Sequence, residues 1–392
     1  MGWLSWERFR CNTDCAQDPA NCISERLFVE TADSLILGGF QSAGYNYVII
    51  DDCWLAKERD VHGKLQPDPH RFPRGMPAIA RYLHERELKF GIYGDIGTKT
   101  CGGYPGMAGH LGRDAQTYAD WGVDYLKVDG CYADPDSYNK TYPALGAALN
   151  ATGRPIVYSC SWPAYLPDPV QTGFQIPYEA LRRHCNLWRN WVDIQSDWAS
   201  LKSIIVFWAK ASLLSEGFTD VAGPGAFNDP DMLIIGNEGI TDDQAALQMG
   251  AWAMFAAPLL MGNDVRNLTV AQQAILLNRD VIAINQDPVG HQGALVKCRG
   301  SCEEGQIWQR RLYNGDLAVA FFNLNDAATE RICVDWNELA LGEYTQRKGM
   351  EVFTGTVRHN LGGELCEELA GTSIKLWRLA AVDAVKHAAA VF

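Results

Sequence analysis

Short apolar runs alternate with stretches of helical periodicity along the first 290 residues of the chain. The apolar runs are Met1–Trp6, Tyr45–Ile50, Lys89–Tyr93, Tyr125–Val128, Ile156–Cys160, Asn186–Val192, Thr219–Ala222 and Pro258–Met261. Apolar residues recur at helical spacing in Ser24–Leu37, Pro77–Arg86, Arg113–Trp121, Tyr142–Leu149, Tyr178–His184, Trp198–Leu213 and Asp243–Met254. This alternation predicts about eight strand–helix units around a parallel sheet.

Polar groups cluster after each apolar run rather than before it, as in Tyr45–Ile50 followed by Asp51 and Asp52. In a closed (β/α)8 barrel the active site lies at that carboxyl end of the strands. An open doubly wound sheet is the rival architecture, and it favours a glycine-rich phosphate loop after the first strand. No such loop is found there, so the pattern favours the TIM barrel.

The alternation of apolar runs and helical stretches ends at about residue 290. Short strand-like runs then follow one another, separated by Asn-Gly, Asn-Asp and Gly-Gly turns. They are Ile307–Leu312, Leu317–Leu324, Arg331–Val334, Tyr344–Val352 and Thr372–Leu379. We predict a catalytic barrel over residues 1–290 and a small antiparallel β domain over residues 291–392, with the boundary in Asp287–Gly293.

Charge narrows the range of partners. The chain has 392 residues and a formal net charge of −13. Nucleic-acid binding needs a cationic face, so we expect no nucleic-acid partner. The longest apolar run, Ala251–Met261, is far short of the ~20 residues that span a bilayer. Neutral substrates, or an acidic working environment, fit this composition best.

Twelve cysteines and three Asn-x-Thr patterns indicate an oxidising route. The acceptor asparagines for N-glycosylation are Asn139, Asn150 and Asn267. Zinc is the competing explanation for the cysteines, but neither Cys11-x3-Cys15 nor Cys298-x3-Cys302 has a second tight pair nearby. We therefore expect no metal. The opening MGWLSWERF is unlike a signal peptide, so secretion would imply a mature form.

Carboxylates are unusually frequent at the predicted strand ends. They are Asp51, Asp52, Asp95, Asp129, Asp193, Asp229 and Asp231. A barrel would gather them at one mouth, where two could act on a glycosidic bond as nucleophile and general acid/base. Each taken singly has a plainer explanation: a strand-ending turn for Asp129-Gly130, or a helix N-cap. Nearby aromatic side chains suit a sugar ring, although core packing explains any single one as well.

Several ordered motifs resemble the lysosomal α-galactosidase and α-N-acetylgalactosaminidase family, the melibiase clan. They include MGWLSWERFRC, YVIIDDCW, KFGIYGDIG, YLKVDGCY, CNLWRN and VAGPGAFNDPDMLIIGN. The resemblance covers nearly all of residues 1–293 and weakens beyond them. It implies a barrel followed by an antiparallel β-sandwich, a glycoside hydrolase that needs no cofactor, a lysosomal or secreted location, and a homodimer.

The resemblance assigns roles position by position. Asp129 matches the nucleophile of a double-displacement mechanism that retains configuration, and Asp193 matches the general acid/base. Sugar contacts are implied for Trp6, Asp51, Asp52, Tyr93, Lys127, Cys131, Tyr165, Arg189 and Asp231. Family disulfides map to Cys11–Cys53, Cys15–Cys22, Cys101–Cys131 and Cys160–Cys185. We pair the remaining cysteines as Cys298–Cys302 and Cys333–Cys366.

One loop bears on the choice of sugar. The α-galactosidases share a Cys-Glu-Trp-Pro-Leu-Tyr pattern, in which Glu and Leu crowd the sugar 2-position. This chain reads Cys160-Ser-Trp-Pro-Ala-Tyr165. Ser161 and Ala164 leave room for an N-acetyl group, which predicts terminal α-linked N-acetylgalactosamine as substrate. The alternatives are an α-galactosidase with a tolerant 2-position and a lectin-like barrel without catalysis.

Overall fold

A computed structural model describes residues 1–214, 217–342 and 345–381. Eight parallel strands form its first layer, paired in the order β7-β6-β5-β4-β3-β2-β1-β8. Their bounds are β1 Gly2–Leu4, β2 Tyr47–Ile49, β3 Lys89–Asp95, β4 Tyr125–Asp129, β5 Val157–Cys160, β6 Leu187–Arg189, β7 Phe227–Asp229 and β8 Leu260–Met261. Leu233, just after β7, bridges in parallel to Met261. This bridge closes the sheet into the predicted barrel.

Helices follow the strands around the outside of the barrel. They are α1 Trp6–Phe9, α2 Glu25–Leu37, α3 Met76–His84, α4 Leu111–Asp120, α5 Tyr138–Ala151, α6 Pro169–Thr172, α7 Tyr178–His184, α8 Trp198–Leu214, α9 Asp242–Met254, α10 Val270–Leu276 and α11 Arg279–Asn285. Helix α9 begins with a capping box between Thr241 and Gln244. Helix α10 begins with the same device, Thr269 with Gln272, although the apolar pattern did not reveal this helix.

One strand differs from the sequence expectation. The apolar run Thr219–Ala222 forms a turn, and β7 lies beyond the Gly-Pro-Gly loop. Strand β7 contains the polar residue Asn228, which is buried because its side chain is bonded throughout. Trp188 Nε1 donates to its Oδ1 at 2.7 Å, and its amide donates to Phe218 O at 2.6 Å. Such a strand has no apolar signature.

Beyond residue 293 the chain forms two antiparallel sheets, as predicted. A six-stranded sheet has the order β14-β13-β16-β11-β10-β9, and β12 pairs with β15. The bounds are β9 Ala294–Arg299, β10 Gly305–Arg311, β11 Leu317–Asn323, β12 Glu330–Asp335, β13 Arg347–Glu351, β14 Val357–Leu361, β15 Glu364–Leu369 and β16 Ser373–Leu379. Strands β9, β14 and β15 were not predicted, and Tyr344 of the predicted fourth run lies outside the described residues.

Strand β11 joins the two parts of the molecule. Leu317, Val319 and Phe321 belong to the core between the two C-terminal sheets. The alternate residues Ala318, Ala320 and Phe322 belong to the large core shared with the barrel helices. Because successive strand side chains face opposite sides, a strand buried on both faces reads as one continuous apolar run.

Six disulfides form among the described residues, and they use all twelve cysteines. The pairs are Cys11–Cys53, Cys15–Cys22, Cys101–Cys131, Cys160–Cys185, Cys298–Cys302 and Cys333–Cys366. These are the pairs named from the sequence. Three of them, Cys11–Cys53, Cys15–Cys22 and Cys101–Cys131, lie in segments that follow β1, β2, β3 and β4, whereas Cys160–Cys185 joins the end of β5 to the residue after α7.

Candidate active site

Strand β4 carries two charged residues into the barrel mouth. Lys127 and Asp129 are two positions apart, so their side chains share one face of the strand. In the sheet register Lys127 is opposite Tyr93 and Asp129 is opposite Asp95, both on β3. All four residues are buried. Asp129 therefore ends its strand, as the strand-ending turn at Asp129-Gly130 predicts. It also belongs to a buried charged cluster.

Lys127 is paired with Asp51, which follows β2. The ammonium Nζ lies 2.7 Å from Asp51 Oδ2, and the side chains are only 9% and 2% exposed. Asp51 Oδ1 also accepts a bond from the Asp52 amide at 2.7 Å. Burial raises the pKa of Asp51 to about 6, although the lysine charge opposes the rise. The pKa of Lys127 is raised because several carboxylates surround it and outweigh the effect of burial.

Asp129 stays ionised in this environment. Burial works to raise its pKa, but the charges of Lys127 and Arg189, with hydrogen bonds from Ser161 and Tyr93, bring the pKa below its usual range. Its Oδ1 accepts no hydrogen bond from any described residue. Asp129 therefore offers a charged, buried oxygen that faces the Arg189 guanidinium and accepts no hydrogen bond from a described residue.

Arg189, the last residue of β6, connects Asp129 to Asp193. Its Nη2 lies 3.7 Å from Asp129 Oδ1 and 3.1 Å from Asp193 Oδ1. The two carboxylate oxygens are therefore within roughly 7 Å of each other. Glycosidase carboxyl pairs span roughly 5–9.5 Å, depending on mechanism. The Asp193 side chain is 50% exposed, whereas Asp129 is buried. The two carboxyl groups are thus close enough to lie on either side of a glycosidic bond, and they differ in their exposure to solvent.

Asp231 fixes the loop that holds Asp193. Its Oδ2 accepts a bond from the Ile194 amide at 2.9 Å, and its Oδ1 accepts from the Met232 amide at 2.9 Å. Asp231 has a φ of 79°, a strained backbone conformation for a residue other than glycine. Burial raises the pKa of Asp231, and the charge of Asp193 adds to the rise.

A disulfide lines one wall of the site. Cys101 Sγ lies 3.8 Å from Asp129 Oδ2, and the Tyr165 hydroxyl lies 3.4 Å from Cys101 Sγ and 3.3 Å from Cys131 Sγ. The Tyr93 hydroxyl lies 3.4 Å from Cys101 Sγ. Asp52 reaches the same loop, since its Oδ2 accepts from the Gly102 amide at 2.7 Å. The bridge therefore holds two βα loops against the nucleophile candidate.

The loop that bears on the sugar 2-position is rigidly built. Ser161 is buried, its amide donates to Val128 O at 2.9 Å, and its side chain helps to lower the pKa of Asp129. It precedes a single 3-10 turn, Trp162–Tyr165, which contains Ala164. The Trp162 ring stacks on Tyr142 with centroids 5.5 Å apart. Ala164 follows β5 and Trp6 follows β1, so both residues lie beyond the carboxyl ends of their strands.

Sequence reasoning named Asp95 and Asp229 as strand-end carboxylates without giving them a role. Asp95 accepts from the Gly97 and Cys131 amides at 2.7 and 3.0 Å, and burial raises its pKa to about 8. Asp229 accepts from the Asp231 amide at 2.8 Å, and burial raises its pKa to about 7. Both orient the loops that carry the site residues. Their position directly after a strand was the available signal.

A cavity of about 680 Å³ adjoins the site, next to Tyr165. Its walls come from the loops after β4 and β5 and are largely apolar or aromatic, with Trp162, Leu166 and Phe174 among them. In the described residues, the two groups of side chains close enough to hold a metal both include disulfide sulfurs. A disulfide sulfur is not a thiolate, and metal binding by cysteine needs the thiolate.

Comparison with known proteins gives the family. The family model for alpha galactosidase A matches residues 1–287, and that for the alpha galactosidase C-terminal beta sandwich domain matches residues 303–379. The chain belongs to the alpha-galactosidase A family. Human alpha-galactosidase A is 49% identical over 333 residues, which cover 84% of this chain and 75% of that protein. Chicken alpha-N-acetylgalactosaminidase is 45% identical over 385 residues, or 97% of this chain and 92% of that protein.

The family's solved structures agree with the fold described above. Alpha-galactosidase I from Mortierella vinacea superposes with a TM-score of 0.85 at 28% identity, covering 97% of this chain and 96% of that one. The coverage includes the barrel and the C-terminal sheets. The (β/α)8 barrel with a C-terminal antiparallel β-sandwich, expected from the sequence, is confirmed.

Proposed function

We propose that this chain is a retaining exo-glycosidase that releases terminal α-linked N-acetylgalactosamine. The observation that carries the proposal is the pair Asp129 and Asp193 on the two sides of Arg189, one buried and ionised, the other exposed. Relatives named as α-N-acetylgalactosaminidases and α-galactosidases support a glycosidase. The position of Asp129 beside Ser161 ties the chemistry to the sugar-selecting loop.

In the first step an Asp129 oxygen attacks the anomeric carbon and the bond to the leaving oxygen breaks. Asp193 gives its proton to that oxygen as the bond breaks. In the second step Asp193, now a carboxylate, takes a proton from water, which attacks the same carbon and releases Asp129. Two inversions retain the configuration.

Arg189 suits both steps for an electrostatic reason. The first step of this mechanism requires the negative charge on Asp129 and the proton on Asp193. In the glycosyl-enzyme Asp129 is an ester, and the negative charge is on Asp193. The Arg189 guanidinium contacts an oxygen of each carboxyl, so it faces one negative charge throughout. Such a fixed charge needs no reorganisation as the reaction proceeds.

Preference for N-acetylgalactosamine rests on Ser161 and Ala164. Overall identity does not choose the sugar, because an α-galactosidase and an α-N-acetylgalactosaminidase match at 49% and 45%. The short side chains of Ser161 and Ala164 leave space at the 2-position, with a hydroxyl to bond the amide and a methyl to pack on the acetyl group. Asp51 and Asp52 suit paired sugar hydroxyls as acceptors. An α-galactosidase with a tolerant 2-position remains the second candidate, favoured by the 49% match.

The test compares kcat/KM on the p-nitrophenyl α-glycosides of N-acetylgalactosamine and galactose. We expect the N-acetylgalactosaminide to be the better substrate. A galactoside preference would reject the sugar assignment and leave the glycosidase standing. Asp129→Asn should abolish turnover of both while the circular dichroism spectrum is unchanged. Binding of the sugar without turnover in the wild-type chain would instead support a lectin-like barrel.

We also propose a lysosomal or secreted glycoprotein. Six disulfides are the pattern of an oxidising compartment. The three acceptor asparagines, Asn139, Asn150 and Asn267, are exposed. No helix in the described part of the chain is long and apolar enough to cross a membrane. Endoglycosidase treatment of protein from eukaryotic cells should increase its gel mobility. The homodimer stays a prediction, to be checked by sedimentation.

A further inference from the structure

The residue proposed as acid/base stands on a loop, not on a strand. Strand β6 ends at Arg189, and Asp193 opens a five-residue segment, Asp193–Asp197, which we call the Asp193 loop. Loops are the mobile parts of a fold, whereas a proton donor must stay within hydrogen-bond reach of the leaving oxygen. Something must therefore fix this loop. The Asp231 bond to the Ile194 amide is one anchor.

Two further anchors come from the beginning of the chain. Glu7 belongs to α1, and Arg10 follows that helix. Ser196 Oγ donates to Glu7 Oε1 at 3.0 Å, across 189 positions of sequence. Arg10 Nη2 donates to Gln195 Oε1 at 2.8 Å. Gln195 Nε2 in turn donates to the main-chain carbonyl of Asp193 at 3.3 Å. A continuous set of polar contacts thus runs from α1 to the backbone of Asp193.

The two anchoring residues also hold each other. Arg10 Nη2 lies 2.7 Å from both carboxylate oxygens of Glu7, with hydrogen-bond geometry only to Oε1. The Glu7 side chain is 0% exposed and that of Arg10 is 39% exposed. The Arg10 guanidinium also lies 5.7 Å from the ring of Trp6, a predicted sugar contact. Glu7 and Arg10 therefore contact the Asp193 loop, and Arg10 also lies beside Trp6.

Burying a carboxyl here is costly, which calls for an explanation. Removing a charge from water costs several kcal/mol, and an apolar side chain would fill the space at less expense. Burial raises the pKa of Glu7 to about 7, with Arg10 and the Ser196 bond opposing the rise and Asp231 adding to it. The contacts of Glu7 and Arg10 converge on residues 195 and 196. A purely stabilising pair would have no reason to end on an exposed loop.

We propose that Glu7 and Arg10 are positioning residues that fix the Asp193 loop, and so set where the Asp193 carboxyl meets the leaving-group oxygen. The proposal rests on the proposed function of Asp193. Neither residue touches the reacting atoms. The close approach of Gly239 supports the same reading, since a Cβ there would lie 2.0 Å from Ser196 O. Gly239 thus packs closely against Ser196 and Asp197 of the Asp193 loop.

A misplaced general acid has a recognisable kinetic signature. A glycoside with a poor leaving group needs the proton as its bond breaks, whereas p-nitrophenol leaves with little help. Loss of positioning should therefore reduce the rate on an alkyl glycoside much more than on a p-nitrophenyl glycoside. The second step needs Asp193 as base, but an azide anion attacks the anomeric carbon without one. Azide would form the glycosyl azide, release Asp129 and restore turnover.

The experiment measures kcat and KM of Arg10→Met, Glu7→Gln, Glu7→Ala and Asp193→Ala on the p-nitrophenyl and methyl α-glycosides of the preferred sugar. General acid/base catalysis contributes roughly 10²–10⁴-fold, so partial misplacement in Arg10→Met should cost about tenfold or more in kcat on the methyl glycoside. The loss on the p-nitrophenyl glycoside should be several times smaller, with KM little changed. Glu7→Gln keeps an acceptor for Ser196 and should lose less than Glu7→Ala.

A matched control separates positioning from folding. Glu25→Gln removes another buried carboxylate, which pairs with Arg74 on the outside of the barrel. It should reduce both substrates equally or not at all. Equal losses on the two glycosides in Arg10→Met and Glu7→Gln, with Asp193→Ala still discriminating, would overturn the positioning role alone. If Asp193→Ala does not discriminate and azide has no effect on it, the acid/base assignment itself fails, and the positioning role fails with it.

Discussion

Replacing Lys127 with methionine should make the stability of the protein depend on pH in a way that the wild type does not. The lysine is the counter-charge that Asp51 contacts directly, at 2.7 Å, inside a cluster of carboxylates. Methionine keeps most of the length and the apolar character of the lysine stem but not the charge. Breaking a buried pair by removing one partner costs about 3–5 kcal/mol when the other stays ionised.

Asp51 can reduce that cost by binding a proton. Its pKa is already raised to about 6 by burial with the lysine present, and without the lysine it rises further. An acid whose pKa is higher in the folded state is protonated there and ionised in the unfolded chain. That contribution to stability is present at low pH and is lost as pH rises through the folded pKa. Relative to the wild type, the variant should therefore lose up to ~1.4 kcal/mol for each pH unit between 6 and 8.

Urea denaturation at pH 5, 6, 7 and 8 measures the free energy of unfolding of both proteins. We expect a small difference at pH 5 and one of up to about 3 kcal/mol at pH 8. Adding Asp51→Asn to Lys127→Met should remove most of the slope, since Lys127 contacts Asp51 directly and acts on Asp129 through space. A pH-independent difference, or a slope that survives in the double variant, would refute this account of the cluster.

Three further predictions follow from the same contacts. Ser161→Glu with Ala164→Leu should shift the ratio of kcat/KM towards the α-galactoside, and N-acetylgalactosaminide selectivity like that of the wild type would reject the role of the loop. The melting temperature of the wild type should be higher at pH 5 than at pH 8.5, because four carboxyls with raised pKa values ionise on the way. They are Glu7, Asp51, Asp95 and Asp229. Arg310→Met should lower the melting temperature without a change in KM. Arg310, on β10, donates hydrogen bonds to the main-chain carbonyls of Ala253, Ile284 and His291. An unchanged melting temperature would contradict this prediction.

The barrel could be predicted from the sequence because seven of its strands are apolar runs bounded by polar residues. Strand β7 could not, since Asn228 is buried through hydrogen bonds rather than through hydrophobicity. Helices α10 and α11, each seven residues long, were not predicted, although α7 has the same length and was. In the C-terminal region β11 was predicted from its continuous apolar run, whereas β14 has the exposed polar sequence Arg-His-Asn in its centre.

The sequence predicted only part of the candidate active site. Strand-end position identified Asp129, Asp95 and Asp229 as candidates, but only the family resemblance separated the first from the others. The structure gives the physical difference: Asp95 and Asp229 accept bonds from backbone amides, while Asp129 Oδ1 accepts none from a described residue. Glu7 and Arg10 gave no signal, because their contacts with the Asp193 loop join residues almost 190 positions apart.

The identity of the nucleophile is the central claim, and trapping the covalent intermediate tests it most directly. The wild-type chain is incubated with a 5-fluoro glycosyl fluoride of N-acetylgalactosamine, which forms the glycosyl-enzyme faster than the enzyme can hydrolyse it. Reduction, digestion and tandem mass spectrometry then locate the added sugar. We predict the label on Asp129, in the peptide containing Tyr125–Asp129, and none in Asp129→Asn. A label on Asp193, Asp231 or any other residue would contradict the account.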